Sequence, residues 1–267
     1  MATMLSPQGL FAALSRAALR SAGGWWRTVH LAARLMVLAA APSSYTAQSR
    51  RALAHHLYAG TANSLIWFSV LSTLISLIVI RIVLVTALSY GLSQYALEMV
   101  VRVLVLELIP LAAALFAALR CTIPMAAQIA VLRARSGRSK AGAPHVDLLH
   151  AEVLPRVGAG VFCALMLAAV SCVVTLIVAY LSVYGFRTAG FAAYTHTVGR
   201  VFDPSVSLIF ALKIVLLGVA VALMPTAAVL DEAPRGRLYT SVELEGLVRM
   251  FLVIVLIEAA ALVGNYY

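Results

Sequence analysis

Five unbroken apolar runs decide what this chain can become. They extend roughly from Asn63 to Tyr90, Ala96 to Leu119, Val157 to Tyr184, Ser207 to Leu230 and Leu244 to Val263. About 20 apolar residues, at ~1.5 Å rise each, cross the ~30 Å hydrocarbon layer of a bilayer. Inside that layer a lone segment must satisfy its own backbone N–H and C=O groups, which selects the helix. Composition agrees: 63% of residues are hydrophobic and only 11% are charged. Soluble domains carry about 25% charged residues, so this chain cannot cover a water-facing surface. The expected fold is an all-α polytopic transmembrane helix bundle of about five spans.

The chain ahead of the first span reads differently. Residues 1–56 form one unit, a cytoplasmic or interfacial segment, and residues 57–267 form the membrane domain. "GLFAALSRAALRS" and "WWRTVHLAARLMVLAAA" place Arg16, Arg20, Arg27 and Arg34 at roughly helical spacing among apolar residues. That pattern suits an amphipathic helix lying in the membrane interface, with Trp25, Trp26 and Arg27 at the headgroup level. A signal peptide with "LMVLAAAPSS" as its apolar part is the rival reading. Its core is too short and follows too long a basic segment.

The net charge of +10 belongs to loops rather than to a nucleic-acid surface. Arginines crowd the N-terminal segment, and Arg133, Arg135, Arg138, Lys140 and Arg156 occupy the 133–156 loop. Arg235 and Arg237 occupy the loop at 231–243, whereas "GLSQY" between the first two spans has no cation. The positive-inside bias therefore places the N-terminus in the cytoplasm and the C-terminus outside. No phosphate loop, HExxH pattern or paired cysteine motif occurs. The expectation is a chain with no metal, no cofactor and no catalytic residues. Cys121, Cys163 and Cys172 are expected as buried small hydrophobes.

Charged residues stand inside the oil, among them Arg81, Arg102, Glu107, Lys213 and Glu258. Such residues face a cavity or a partner, or reach the interface by stretching. Glu98 and Arg102, four apart, fit an interfacial pair on one helix face. Lys213 and Glu258 have no register that separates them from interfacial residues. Arg81 and Glu107 lie at similar depths on either side of the turn at Gly91 to Gln94, which predicts an ion pair across the hairpin. Such a pair either holds two spans together or lines a lipid headgroup site. Pro110 predicts a kink bordering that cavity. Arg120 is expected at the cytoplasmic end of the second span.

The order of several motifs resembles the MlaE/YrbE family, the permease subunits of Mla- and Mce-type lipid-transport ABC systems. "HLY" at 56–58 follows an amphipathic segment, and "LELIP" at 106–110 stands where the family tends to have RELGP. "ALR" at 118–120 replaces AGR, "AEVLPR" ends at Arg156, and "VGN" occurs at 263–265. The resemblance implies a homodimer in the inner membrane that moves phospholipid or related lipid to a periplasmic MCE-domain protein. A separate cytoplasmic ABC ATPase would bind and hydrolyse the ATP. Its functional glutamate falls on Glu107, in a lipid cavity that would include Arg81, Tyr90 and Pro110. Coupling to the ATPase would fall on Arg133, Arg135, Asp147, Leu148 and Arg156. The chain departs from the pattern at Leu106 and Ile109, and at Ser136 and Gly142, where family glutamates would stand. A basic loop in place of an acidic one leaves an alternative: a membrane scaffold that binds the same partners without transporting.

Overall fold

The computed structural model describes the backbone of residues 47–92, 95–139, 153–231 and 239–266, together with Trp26, His30, Ala33, Arg34 and Val37. All regular structure among these residues is helical. Helix α1 runs Ala47–Ser89. Its end is fixed by Gly91, whose φ of 69° reaches the left-handed region that a Cβ disfavours. Leu92 N–H donates to Ala87 O at 2.8 Å and Gly91 N–H to Leu88 O at 3.2 Å, the paired bonds of a Schellman cap.

Helix α2 spans 96–139 in five segments. Ala96–Val100, Ile109–Ala117 and Ile123–Ser139 are α-helical, whereas Val101–Leu108 and Ala118–Thr122 are wide π-helical turns. Each wide turn comes just before a proline, Pro110 or Pro124. A proline ring inside an α-helix collides with the carbonyl four residues back and cannot donate to it. Opening the preceding turn is one way to relieve that conflict without breaking the rod. The sequence reading stopped the second span at Leu119 with Arg120 as its end. Instead the apolar helix continues to Leu132, and the exposed Arg120 projects from its flank.

Helix α3 is Leu154–Tyr184, with Pro155 in its first turn. A short helix α4, Phe191–Val201, leads to α5, Pro204–Asp231, and then to α6, Tyr239–Tyr266. Spans of sufficient length and hydropathy are Thr61–Ser89, Ala96–Leu132, Leu154–Tyr184, Pro204–Leu230 and Gly246–Asn265. The 133–156 loop of the sequence reading is therefore shorter, since α2 continues to Ser139 and Arg156 already belongs to α3.

Helix α3 is the centre of the bundle. It packs along α1 and α5, α5 packs along α6, and α2 lies against both α3 and α5. Gly160 allows one close approach, since a Cβ there would stand 2.9 Å from Thr122 Cγ2 and 3.3 Å from Ala222 Cβ. Phe68 packs on Phe116 with the rings tilted by 37° and their centroids 4.9 Å apart, and Ser76 Oγ shares a 3.0 Å hydrogen bond with Thr175 Oγ1. Leu104, Ile109, Leu167, Leu217 and Ile254 are fully buried. By contrast, Trp67, Ile78 and Ile82 on α1 and Phe251, Val255 and Leu256 on α6 are exposed, as suits faces toward lipid or another subunit.

Candidate functional site

The site begins with a backbone consequence of Pro110. In an α-helix the N–H of residue 110 would bond the carbonyl of Leu106, but proline has no N–H. The wide turn at Val101–Leu108 redirects the ladder, so that Ile109 N–H donates to Leu104 O. The Leu106 carbonyl instead accepts a 3.0 Å hydrogen bond from Lys213 Nζ, which arrives from α5. A buried carbonyl that loses its helical donor needs another, and a lysine can supply one.

Lys213 has two further partners. Its Nζ donates to Glu107 Oε2, and to Glu258 Oε1 at 2.8 Å from α6. An ammonium has three N–H bonds, so Lys213 is saturated. Only 2% of the residue is exposed, and 15% of each glutamate side chain. Asn265 Nδ2 donates to Glu107 Oε1 at 3.4 Å and extends the network. One cation faces two carboxylates, so the cluster sums to one negative charge when all three groups are ionised. Glu258 Oε2 and Asn265 Oδ1 are buried with no hydrogen-bond partner among the described residues. The cluster therefore holds spare acceptor capacity inside a membrane-spanning bundle.

This arrangement corrects one expectation from the sequence and decides a point the sequence left open. Glu107 pairs with Lys213 and not with Arg81. Arg81 lies on the exposed face of α1, beside the fully buried Ile80, and forms no ion pair among the described residues. Matching depth was not enough, because rotation about the helix axis decides which residue faces inward. Lys213 and Glu258, which the sequence left undecided, are joined at 2.8 Å inside the bundle. Their sequence signal was one of position, since Lys213 is a lone cation inside the fourth apolar run.

Other expected residues fall as follows. Arg102 pairs with Glu98 at 3.2 Å, four residues apart on α2, as the spacing predicted. Pro110 is buried and borders the cluster through Leu106, and its kink takes the form of the wide turn. Tyr90 caps α1, three-quarters exposed and apart from the Lys213 network. Arg133 and Arg135 continue α2, while Arg156 lines a small cleft with Thr122, Met125 and Thr226. Trp26 is helical and exposed. Trp25, Arg27, Asp147 and Leu148 lie outside the described residues.

A family model described as Permease MlaE matches residues 53–263. The chain belongs to the MlaE permease family. The matched region takes in Glu107, Lys213 and Glu258 together, and Asn265 lies two residues beyond it. As an MlaE permease with five long apolar helices, the protein is a multi-pass membrane protein of transport type. No curated protein matches the chain.

Proposed function

We propose that this MlaE permease is the membrane-spanning subunit of an ABC transporter moving phospholipid or related lipid. The lipid passes between the inner membrane and a periplasmic MCE-domain carrier, while a separate ATPase chain hydrolyses ATP. The family match across the buried Lys213 cluster carries this reading. Charges within a span are expensive, and they persist where a pathway or a partner needs them. Glu107, Lys213 and Glu258 form such a polar spot, with unfilled acceptors for a headgroup.

Arg81 supports a homodimer. An arginine eight residues before Ser89, the end of a spanning helix, with no ion pair among the described residues, would be costly against lipid. Two copies facing one another would place Arg81 in a shared, hydrated cavity, with Tyr90 at its outer mouth. The N-terminal segment, including Trp25, Trp26 and Arg27, lies in the cytoplasmic interface, and the C-terminus is periplasmic. ATPase movement enters through Arg133, Arg135, Asp147, Leu148 and Arg156 and alternates the access of the cavity. Transport by this route needs no covalent chemistry from this chain.

The test is purification with co-expressed genomic neighbours. A homodimer that retains an ATPase and bound phospholipid is the expected result. A lone monomer free of lipid would overturn the reading, and a lipid-free complex with the ATPase would favour the scaffold.

A further inference from the structure

The second wide turn of α2 holds a different chemistry. Cys121 lies within Ala118–Thr122, and its Sγ stands 2.8 Å from Sγ of Cys163 on α3. Both residues are almost completely buried, at 2% and 1% exposure, in one cluster with Phe68, Ala118 and Leu167. Ser64 Oγ of α1 lies 3.7 Å from Cys121 Sγ, so three spans meet at the pair. The third thiol, Cys172, is elsewhere, with its Sγ 3.8 Å from the carbonyl of Val105 in a separate cluster.

We propose that Cys121 and Cys163 are a redox modification site, which oxidises to an intramolecular disulfide linking α2 to α3. A disulfide bond is ~2.05 Å long, so the sulfurs need to approach by less than about 1 Å. Nearby atoms already hold the two thiols together, so little chain ordering remains to be done on closure. In the reaction both S–H bonds break, one S–S bond forms, and two protons and two electrons leave. The acceptor is a two-electron, two-proton oxidant that partitions into membranes: a quinone, which becomes a hydroquinone, or an azo compound, which becomes a hydrazine. Cys121 lies eleven residues before Leu132, the end of its apolar span, in the half away from the Gly91 turn. In a reducing compartment the pair rests as thiols and closes only under oxidant stress. The inference stands on packing alone and does not depend on which molecule the permease carries.

The experiment uses the full chain in native membranes, treated with diamide, quenched, and unfolded in detergent with a maleimide. Maleimide-reactive thiols should fall from three to one, leaving Cys172. Trypsin cleavage within residues 133–140 should yield two fragments that separate only after reduction. Cys121→Ser and Cys163→Ser should each abolish the linkage, and Cys172→Ser should leave it intact. Three reactive thiols after diamide, fragments that separate without reductant, or a link through Cys172 or a second copy would each overturn the proposal. The wild-type labelling result decides the matter even where a serine variant folds poorly.

Discussion

Replacing Lys213 by methionine leaves a flexible apolar side chain one atom shorter and removes the charge and all three of its donors. Glu107 and Glu258 then face each other with no cation between them, and the Leu106 carbonyl loses its substitute donor. Deleting one partner of a buried ion pair costs about 3–5 kcal/mol, because the remaining charge stays desolvated. At 1.4 kcal/mol per decade, that is roughly two to three and a half decades in the folding equilibrium. The triple variant Lys213→Met, Glu107→Gln, Glu258→Gln removes every charge and should recover most of the lost stability. Equilibrium unfolding in mixed micelles, read by circular dichroism against SDS fraction, measures both. A single variant as stable as wild type, or a triple variant no more stable than the single one, would refute the reasoning.

Further perturbations separate the remaining contacts. Gly160→Val should destabilise by about 1–3 kcal/mol in the same titration, with Gly160→Ala less affected, because Thr122 and Ala222 leave no room for the branch. Arg81→Leu should leave the unfolding midpoint within about 0.5 kcal/mol of wild type, since that side chain is exposed, yet it should lower lipid transfer in a reconstituted complex. Tyr194 donates from its hydroxyl to Leu176 O at 2.7 Å, and burial, with a smaller repulsion from Tyr184, pushes its phenol up to about 12. A folded value above the unfolded 10.0 means that this contribution is intact below pH 10 and fades as pH rises toward 12. Tyr194→Phe should therefore unfold more easily at neutral pH, with a gap to wild type that narrows above pH 10.

The spans were legible because the bilayer reads them by the same criterion as the eye: length and apolarity along one axis. The local pair Glu98–Arg102 was legible too, since four residues on one helix fix both depth and direction. Arg81 and Glu107 sit on separate helices, where depth is countable and rotation is not. The wide turn at Val101–Leu108 compounds the difficulty, because it shifts the phase of every later residue on α2 relative to a 3.6-residue repeat. Lys213 is the single charge of its apolar run, Glu258 stands nine residues from the nearest charge of its own, and neither carries a periodic signal. Only the packing of α5 against α6 and α2 brings them together.

The two wide turns also change what α2 is as a mechanical part. A continuous α-helix from Ala96 to Ser139 would transmit a push at one end to the other as a stiff shaft. With joints at Val101–Leu108 and Ala118–Thr122, it is a linkage whose middle rod, Ile109–Ala117, can tilt against its neighbours. Glu107 sits in one joint and Cys121 in the other. A displacement of the Ser139 end therefore meets the thiol joint first and reaches the lysine-bound joint only through the tilt of that rod.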